Sequence, residues 1–327
     1  MISLDSIAFF NFEITSYCNL QCPQCSRYDS QGFENKHMAL KHLDFDRILD
    51  NLQISKLTNL KEVLLQGDHG DPLMHPKIFD ILDAFKNVER LRIGTNASLL
   101  NKERWRRLAS YPNLGVTFAV DGLHDTNHVY RIKSNFDKIM ENAEAFIQAG
   151  GKARWKFIVF KHNEHQIEQA RELSKKMGFQ DFMVRYSNRN FFDSDTFPVM
   201  INGVYQNYNL KMASGLNTKK DTKNAMIHNL DNFDSNASCT WLKENKMYVD
   251  YLGNLIPCCM TSGLMWRDDM SGKLWRKIVG DMDSINLYKN TITEVLNSDF
   301  YQTRLQQSLS GVKSIHHTCF SSCFMKK

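Results

Sequence analysis

Residues 17–27 read YCNLQCPQCSR, and three of the chain's 8 cysteines, Cys18, Cys22 and Cys25, fall within this stretch. It follows an apolar run at 9–14 that predicts a β-strand. The thiolate form binds metal, whereas a free thiol is mostly protonated at neutral pH, so cysteines are gathered around a cation to ionise. The spacing C-x3-C-x2-C therefore predicts a metal site. Three ligands instead of four leave one coordination position open.

The composition of the whole chain is that of a globular protein with a sizeable core. Its 327 residues are 42% hydrophobic and 24% charged, which predicts about two domains or one large barrel. The formal net charge of +5 is a weak excess without long runs of like charge, so we expect neither a membrane nor a nucleic-acid partner. Neither a signal peptide nor a membrane span is visible, which favours a cytoplasmic chain with reduced thiols.

Strand and helix patterns alternate over the first 185 residues. Short apolar runs predict strands at 9–14, 62–66, 90–95, 115–120, 155–160 and 181–185. Helical periodicity between them predicts helices over 78–85, 136–147 and 167–177, the last ending at Gly178 in a left-handed cap. Repeated strand–helix alternation predicts a parallel α/β sheet or barrel.

The pattern changes after residue 186. Residues 187–238 are rich in Asn, Asp, Ser and Lys without sustained periodicity, which predicts an irregular bridging segment. Beyond it, alternating apolar residues on either side of Gly253-Asn254 predict a β-hairpin over 247–259. A helical pattern follows within 292–309. We therefore divide the chain into segments 1–186, 187–238 and 239–327.

The cysteine motif on the loop after the first strand resembles the signature of the radical S-adenosylmethionine (radical SAM) enzymes. The resemblance implies a partial (β/α)6 barrel over 1–186 and a [4Fe–4S] cluster held by Cys18, Cys22 and Cys25. In that family the open iron binds S-adenosylmethionine, whose reductive cleavage gives a 5′-deoxyadenosyl radical that takes hydrogen from a substrate carbon. Gln24 departs from the family, which usually has an aromatic residue there. A zinc knuckle completed by a distant ligand is the structural alternative.

Polar residues after the next predicted strands resemble further family elements. Gly70-Asp71-Pro72 stands for the end of a G-G-E-P motif, with Asp in place of Glu. Thr95-Asn96 resembles T-N-G, with Ala97 in place of Gly, and Asp121-Gly122 resembles S-x-D-G. The resemblance implies that the cofactor is contacted by Gly70, Asp71, Pro72, Thr95, Asn96, Asp121, Arg131 and Asn163.

Each of these polar residues also has an ordinary structural alternative. An Asp or Asn at a strand end is commonly a helix cap, and an Arg is commonly part of a surface ion pair. By the resemblance, Asp71 would accept from the cofactor's ammonium, Asp121 from a ribose hydroxyl, and Arg131 would pair with its carboxylate. All of them fall at the carboxyl ends of successive predicted strands, where α/β folds place ligands.

The other five cysteines lie beyond residue 238, which predicts a second and separate metal site. The spacing C-x13-G-x4-C from Cys239 through Gly253 to Cys258 resembles the SPASM/twitch extension of radical SAM enzymes, in the shorter twitch form with one auxiliary [4Fe–4S] cluster. The resemblance assigns the cluster to Cys239, Cys258, Cys319 and Cys323. Cys259 is left over, because adjacent strand residues point to opposite faces.

Two other interpretations of the late cysteines stay open. One is a structural zinc site made of four cysteines, or one that includes His316 or His317. The other is a set of buried cysteines without a metal.

The predicted function is that of a radical SAM oxidoreductase in which the auxiliary cluster relays electrons during dehydrogenation or a related oxidation. A radical SAM peptide or protein maturase is the first alternative, although only 17 residues precede Cys18, too few for a leader-binding domain ahead of the motif. A non-catalytic zinc-stabilised binding module is the second. The expected partners are a small-molecule or peptide substrate and a reductase, flavodoxin- or ferredoxin-type electron donor. No catalytic acid, base or hydrogen donor is assigned.

Overall fold

The computed structural model describes residues 2–187, 189, 191, 194–216, 237–267, 269–311, 316–319 and 323–324. The chain forms two compact units. The first unit comprises Met1–Ile14, His37–Leu64 and Asp221–Lys327, and the second comprises Thr15–Lys36 and Leu65–Lys220. The division into 1–186, 187–238 and 239–327 stays a prediction.

The strands of the chain are β1 (Phe9–Phe12), β2 (Glu62–Leu65), β3 (Arg90–Thr95), β4 (Leu114–Ala119), β5 (Lys152–Val159), β6 (Asp181–Tyr186), β7 (Thr196–Ile201), β8 (Val204–Lys211), β9 (Lys246–Val249) and β10 (Leu255–Ile256). The α-helices are α1 (Phe45–Leu49), α2 (Ile78–Ala84), α3 (Lys102–Ala109), α4 (Asn127–Tyr130), α5 (Phe136–Gln148), α6 (Ile167–Met177), α7 (Thr240–Lys243), α8 (Met270–Val279), α9 (Ile292–Leu296), α10 (Leu305–Leu309) and α11 (His317–Cys319).

In the second unit, β3, β4, β5 and β6 lie side by side in chain order, and each neighbouring pair is parallel. Helices α3, α5 and α6 connect them, as parallel strands require. Trp105 of α3 stacks on Phe118 of β4 with ring centroids 5.1 Å apart, and both are fully buried. The predicted α/β class is confirmed, and helix α6 ends at Gly178 with φ +89°, as expected.

In the first unit the strand order is β10, β9, β1, β2. Strand β9 runs parallel to β1, with Phe9 opposite Lys246 and Phe12 opposite Val249. Strands β9 and β10 are antiparallel and joined by a turn in which Gly253 has φ +83°. The predicted hairpin is therefore confirmed, with shorter strands than expected. Because β1 pairs with β9, the first strand of the chain belongs to the same unit as the late cysteines.

The expectation of irregular structure after residue 186 is wrong for 196–211. Strands β7 and β8 form an antiparallel hairpin there, and residues 217–236 lie outside the described residues. Asn202 and Gly203 connect the two strands with φ of +47° and +79°. An Asn-Gly pair with two positive φ angles is typical of a tight hairpin turn. The Asn202-Gly203 pair is visible in the sequence, but it lies in a polar stretch whose composition favoured the prediction of irregular structure.

Within the described ranges, no helix combines the length and the apolar character that a bilayer crossing requires.

Candidate functional site

Cys18, Cys22 and Cys25 lie in the second unit, on the segment 15–36 that follows β1, hereafter the cysteine loop. All three line a cavity of about 250 Å³. The backbone turns tightly inside the motif, since the Cys25 N–H donates to the Cys22 carbonyl at 3.0 Å. The spacing of the motif therefore brings its three thiols to one cavity.

The three thiols are strongly desolvated. Burial raises the pKa of Cys18 and of Cys22 to about 11, and it also raises the pKa of Cys25. The thiols also raise one another's pKa, because a second negative charge nearby disfavours ionisation. Without a cation these cysteines retain their protons, and a bound metal would displace them.

The donor set fits an iron–sulfur cluster. Thiolates that share one zinc ion stand about 3.8 Å apart, given tetrahedral Zn–S bonds of about 2.3 Å. In the part of the chain that the structure describes, no group of three or more His, Cys, Asp or Glu side chains is placed to hold a metal ion. Three thiols that line one cavity without forming a single-ion site supply three ligands for a [4Fe–4S] cluster.

Amide groups lie close to the Cys18 sulfur. The Leu20 N–H is 3.5 Å from Cys18 Sγ, and Asn96 Nδ2 is 3.7 Å from it. Asn96 Nδ2 also donates to Asn19 Oδ1 at 2.9 Å, and Asn19 Nδ2 donates to Ser98 Oγ at 2.8 Å. Donors at a thiolate sulfur stabilise its charge and orient it.

The Gly70-Asp71-Pro72 element packs directly on the cysteine loop. A Cβ at Gly70 would lie 1.9 Å from the Thr15 carbonyl oxygen, so only glycine fits there. The Asp71 N–H donates to the Tyr17 carbonyl at 2.9 Å. Pro72 is buried and begins a short 3₁₀ turn, Pro72–Met74. The element therefore fixes the position of the cysteine loop.

The Asp71 carboxylate is already engaged by protein donors. It accepts from Thr95 Oγ1 at 2.9 Å, from the Asn96 N–H at 2.7 Å and from the Leu73 N–H at 3.0 Å. Burial raises the pKa of Asp71, and these hydrogen bonds oppose that rise. The side chain that the sequence assigned to the cofactor's ammonium thus joins the segments after β2 and β3.

Asp121 and Arg131 form a buried ion pair. Arg131 Nε donates to Asp121 Oδ2 at 2.6 Å, and the Ile158 N–H donates to Asp121 Oδ1 at 2.6 Å. The Asp121 side chain is fully buried, whereas the Arg131 side chain is 15% exposed. Asp121 and Cys22 raise the pKa of Arg131 above its ordinary value despite its burial. Its Nη1 lies 3.9 Å from Cys22 Sγ, so this permanent cation stands beside one candidate iron ligand.

Asn163 is fully buried, and the partners of its side chain are backbone groups. Its Nδ2 donates to the carbonyls of Asp121 at 2.8 Å and Ile158 at 3.0 Å, and its Oδ1 accepts from the Phe160 N–H at 2.7 Å. These bonds tie the end of β4 to the end of β5.

The cavity brings together part of the predicted set. The predicted residues that line it are Cys18, Cys22, Cys25, Gly70, Asp71, Thr95, Asn96 and Arg131. Pro72, Asp121 and Asn163 are not part of its lining. Sequence reasoning missed Lys156 and Arg189, which also line the cavity. Strand alternation on β5 carried the signal for Lys156, because Trp155 and Phe157 on either side are core residues.

The late cysteines assemble in the first unit. The charges that act on Cys319 are those of Cys258, Cys239 and Cys323, and Cys239 in turn interacts with Cys323. Burial raises the pKa of Cys258 to about 11 and raises that of Cys319 further. Cys259 begins a separate 3₁₀ turn, Cys259–Leu264. His316 Nε2 lies 3.1 Å from the Ser271 carbonyl oxygen, and the His317 side chain lies outside the described residues.

Two family profiles match the chain at these two sites. The profile of the radical SAM superfamily matches residues 12–174, which include the cysteine loop and the cavity. The profile of the SPASM iron–sulfur cluster-binding domain matches residues 239–324, which include the four late cysteines. The chain belongs to the radical SAM superfamily. The cofactors of this radical SAM chain are accordingly S-adenosylmethionine with a [4Fe–4S] cluster, and an auxiliary iron–sulfur centre in the SPASM region.

Curated relatives of this radical SAM chain match over limited segments. It is 32% identical over 122 residues to the tungsten-containing aldehyde ferredoxin oxidoreductase cofactor-modifying protein of Pyrococcus furiosus, a match to 37% of this chain and 33% of the relative. It is 23% identical over 163 residues to Fe-coproporphyrin III synthase of Methanosarcina barkeri, which covers 48% of this chain and 38% of the relative. The matched segments thus span 33% and 38% of the two relatives.

Solved structures share the fold over nearly the whole radical SAM chain. Streptococcus suis SuiB bound to S-adenosylmethionine superposes with a TM-score of 0.56 at 17% identity, over 95% of this chain and 72% of SuiB. His-tagged anSMEcpe with bound AdoMet gives a TM-score of 0.58 at 15% identity, over 93% of this chain and 81% of the other. At these identities the likeness concerns the fold.

Proposed function

We propose that this protein is a radical SAM enzyme that abstracts hydrogen from a carbon of its substrate and oxidises the resulting substrate radical through an auxiliary [4Fe–4S] cluster. The observation that carries the proposal is that three desolvated thiols, the Arg131 guanidinium and the Asp71 carboxylate line one cavity. The proposal includes a cytoplasmic location and a flavodoxin- or ferredoxin-type reductant.

When bound, the cluster and S-adenosylmethionine supply a one-electron cleavage of the sulfonium and a carbon radical that takes hydrogen from the substrate. Cys18, Cys22 and Cys25 would hold three irons. Arg131, fixed through Nε by Asp121, presents its remaining guanidinium nitrogens to the cavity as a fixed cation for a carboxylate. The Asp71 hydrogen bonds hold the walls of the cavity in place before any ligand arrives.

Exclusion of water comes from the apolar cover of the cysteine loop. Leu20 and Cys22 pack in one buried cluster with Tyr130 and Phe160, and with Val199 and Leu210 of the β7–β8 hairpin. A dry site protects a reactive carbon radical from side reactions.

The four late cysteines support the oxidative part of the proposal. Cys239, Cys258, Cys319 and Cys323 supply a full set of thiolates for one cluster, so its irons would have no open position for a substrate. A fully ligated cluster transfers electrons, and an electron acceptor allows a substrate radical to end as an oxidised product.

A peptide substrate is the second candidate. The similar structures include complexes with peptides: SuiB bound to precursor peptide SuiA, and anSMEcpe with the Cp18Cys or the Kp18Cys peptide. The same site could therefore serve either of two reactions: modification of a peptide or protein, or dehydrogenation of a small molecule.

Anaerobic reconstitution with iron and sulfide tests the proposal. We expect a brown protein with about eight irons per chain, and 5′-deoxyadenosine when dithionite and S-adenosylmethionine are supplied. The Cys22→Ala variant should lose 5′-deoxyadenosine formation and retain about four irons, because the late cysteines are untouched. A colourless protein that binds zinc, or a native protein that never forms 5′-deoxyadenosine, would refute the proposal.

A further inference from the structure

Lys156 occupies an unusual place on β5. It lines the cavity together with Ile158, whereas Trp155 and Phe157 point to the other face of the strand and are fully buried. Opposite Lys156 in the β4–β5 register stands Ala119, whose short side chain also lines the cavity. The lysine ammonium therefore has open space on the cavity side.

Lys156 has no ionic partner among the described residues. Asp121 is taken by Arg131 and the Ile158 N–H, and Asp71 by Thr95, Asn96 and Leu73. Asp68, which lines the cavity together with Asp71, is exposed. A partly buried lysine is costly unless an anion accompanies it.

The neighbouring charges of Lys156 are mostly positive. Burial lowers the pKa of Lys156, and Arg131, Arg189 and Arg185 lower it further, whereas Asp121 acts in the opposite direction. Arg189 lines the same cavity, and Arg185 is paired with Ile158 in the β5–β6 register. This concentration of cations attracts an anion into the cavity.

We propose that the cavity receives a carboxylate of the substrate, held by a charge-assisted hydrogen bond from Lys156 with Arg189 beside it. Asp121 and Asp71 are already engaged by other groups, so the single ammonium of Lys156 matches a singly charged ligand group. The proposal that a carboxylate binds here depends only on the geometry of the cavity. The further statement that the molecule carrying this carboxylate is the substrate of the radical rests on the proposed function. S-adenosylmethionine carries a carboxylate as well, so the test must distinguish the two sources.

The test is saturation-transfer NMR on the anaerobically reconstituted protein saturated with S-adenosylmethionine. The probe is N-acetylglycine, and N-acetylglycinamide is its neutral counterpart. We expect the acid to bind at least about tenfold more tightly than the amide, as a hydrogen bond to a charged group implies. Lys156→Met should abolish that preference, and Lys156→Arg should restore part of it.

Lys152→Met is the matched control, because Lys152 lies on the same strand, is exposed and donates to the Pro112 carbonyl outside the cavity. This variant should keep the preference for the acid. Equal binding of acid and amide, or a preference that survives in Lys156→Met, would overturn the proposal. A tenfold loss of S-adenosylmethionine affinity in Lys156→Met would also overturn it, because Lys156 would then hold the cofactor's carboxylate.

The radical chemistry is measured separately as 5′-deoxyadenosine formation by the native protein. Absence of that product together with a clear preference for the acid would contradict the proposed function and leave the carboxylate site standing. Product formation without any preference would contradict the carboxylate site alone.

Discussion

Ala97 has a left-handed backbone conformation, which is unusual for a residue with a side chain. It follows Thr95-Asn96, where the family pattern has glycine, and its φ is +59° although it carries a Cβ. The left-handed region costs a residue with a side chain about 1 kcal/mol or more. The surroundings enforce this conformation, since the Ala97 N–H donates to Thr95 Oγ1 at 2.9 Å and its carbonyl accepts from Asn142 Nδ2 at 2.9 Å.

We expect Ala97→Gly to leave the free energy of unfolding unchanged or to raise it by up to about 1 kcal/mol, since glycine adopts positive φ without strain. Ala143→Gly in α5 is the control, because Ala143 is equally buried but helical. It should lose about 1 kcal/mol. Urea unfolding under argon measures both variants, and a similar loss in the two would show that Ala97 is not strained.

The β7–β8 hairpin, which the polar composition of its segment did not predict, packs against the cysteine loop. Its inward residues Val199 and Leu210 are fully buried in the cluster that contains Cys22. Its turn also packs on the cysteine loop, where the Gly203 N–H donates to the Gln31 carbonyl at 2.9 Å. The hairpin thus covers the loop that carries the candidate iron ligands.

Leu210→Ala should open the apolar cover beside Cys22. We expect it to cost about 2–5 kcal/mol of stability and to speed bleaching of the cluster in air several-fold. Absorbance decay after exposure to air measures the second effect. Val204→Ala is the matched control on the same hairpin, because Val204 is 62% exposed. Equal bleaching rates in the two variants would show that the hairpin does not shield the cluster.

At the scale of the whole molecule, each candidate metal site lies inside one compact unit. The cysteine loop belongs to the second unit, and the four late cysteines belong to the first. The first unit joins the two ends of the chain, since β1 pairs with β9 in parallel. Iron bound at one site should therefore be removable without loss of the iron at the other.

Cys319→Ala should lower the iron content from about eight to about four per chain and leave 5′-deoxyadenosine formation detectable, because the cysteine loop is unchanged. Cys259→Ala serves as its control and should keep about eight irons. Iron and sulfide assays after anaerobic reconstitution measure both variants. An equal loss of iron in the two would reassign Cys259 as a ligand of the late site.

Much of the fold followed from local pattern. Strands β1–β6, the hairpin β9–β10 and the end of α6 at Gly178 were predicted to within a few residues, because period-2 and period-3.6 burial and glycine caps are local signals. The grouping of Cys18, Cys22 and Cys25 was equally local, since one tight loop holds all three.

The side-chain partners at the site depended on residues far apart in sequence. Asp71 bonds Thr95 and Asn96, and Arg131 bonds Asp121, so residues predicted to contact the cofactor also hold the loops around the cavity. Lys156 belongs to no motif; strand alternation separates it from the core residues Trp155 and Phe157, but only the packing of β5 between β4 and β6 places it at the cavity. The sequence by itself determined the fold class and the cysteine sets, because periodicity and spacing act over a few residues. Only the tertiary structure decided which polar side chains remain available to bind a ligand, because their hydrogen-bond partners come from residues that are distant in sequence and close in the fold.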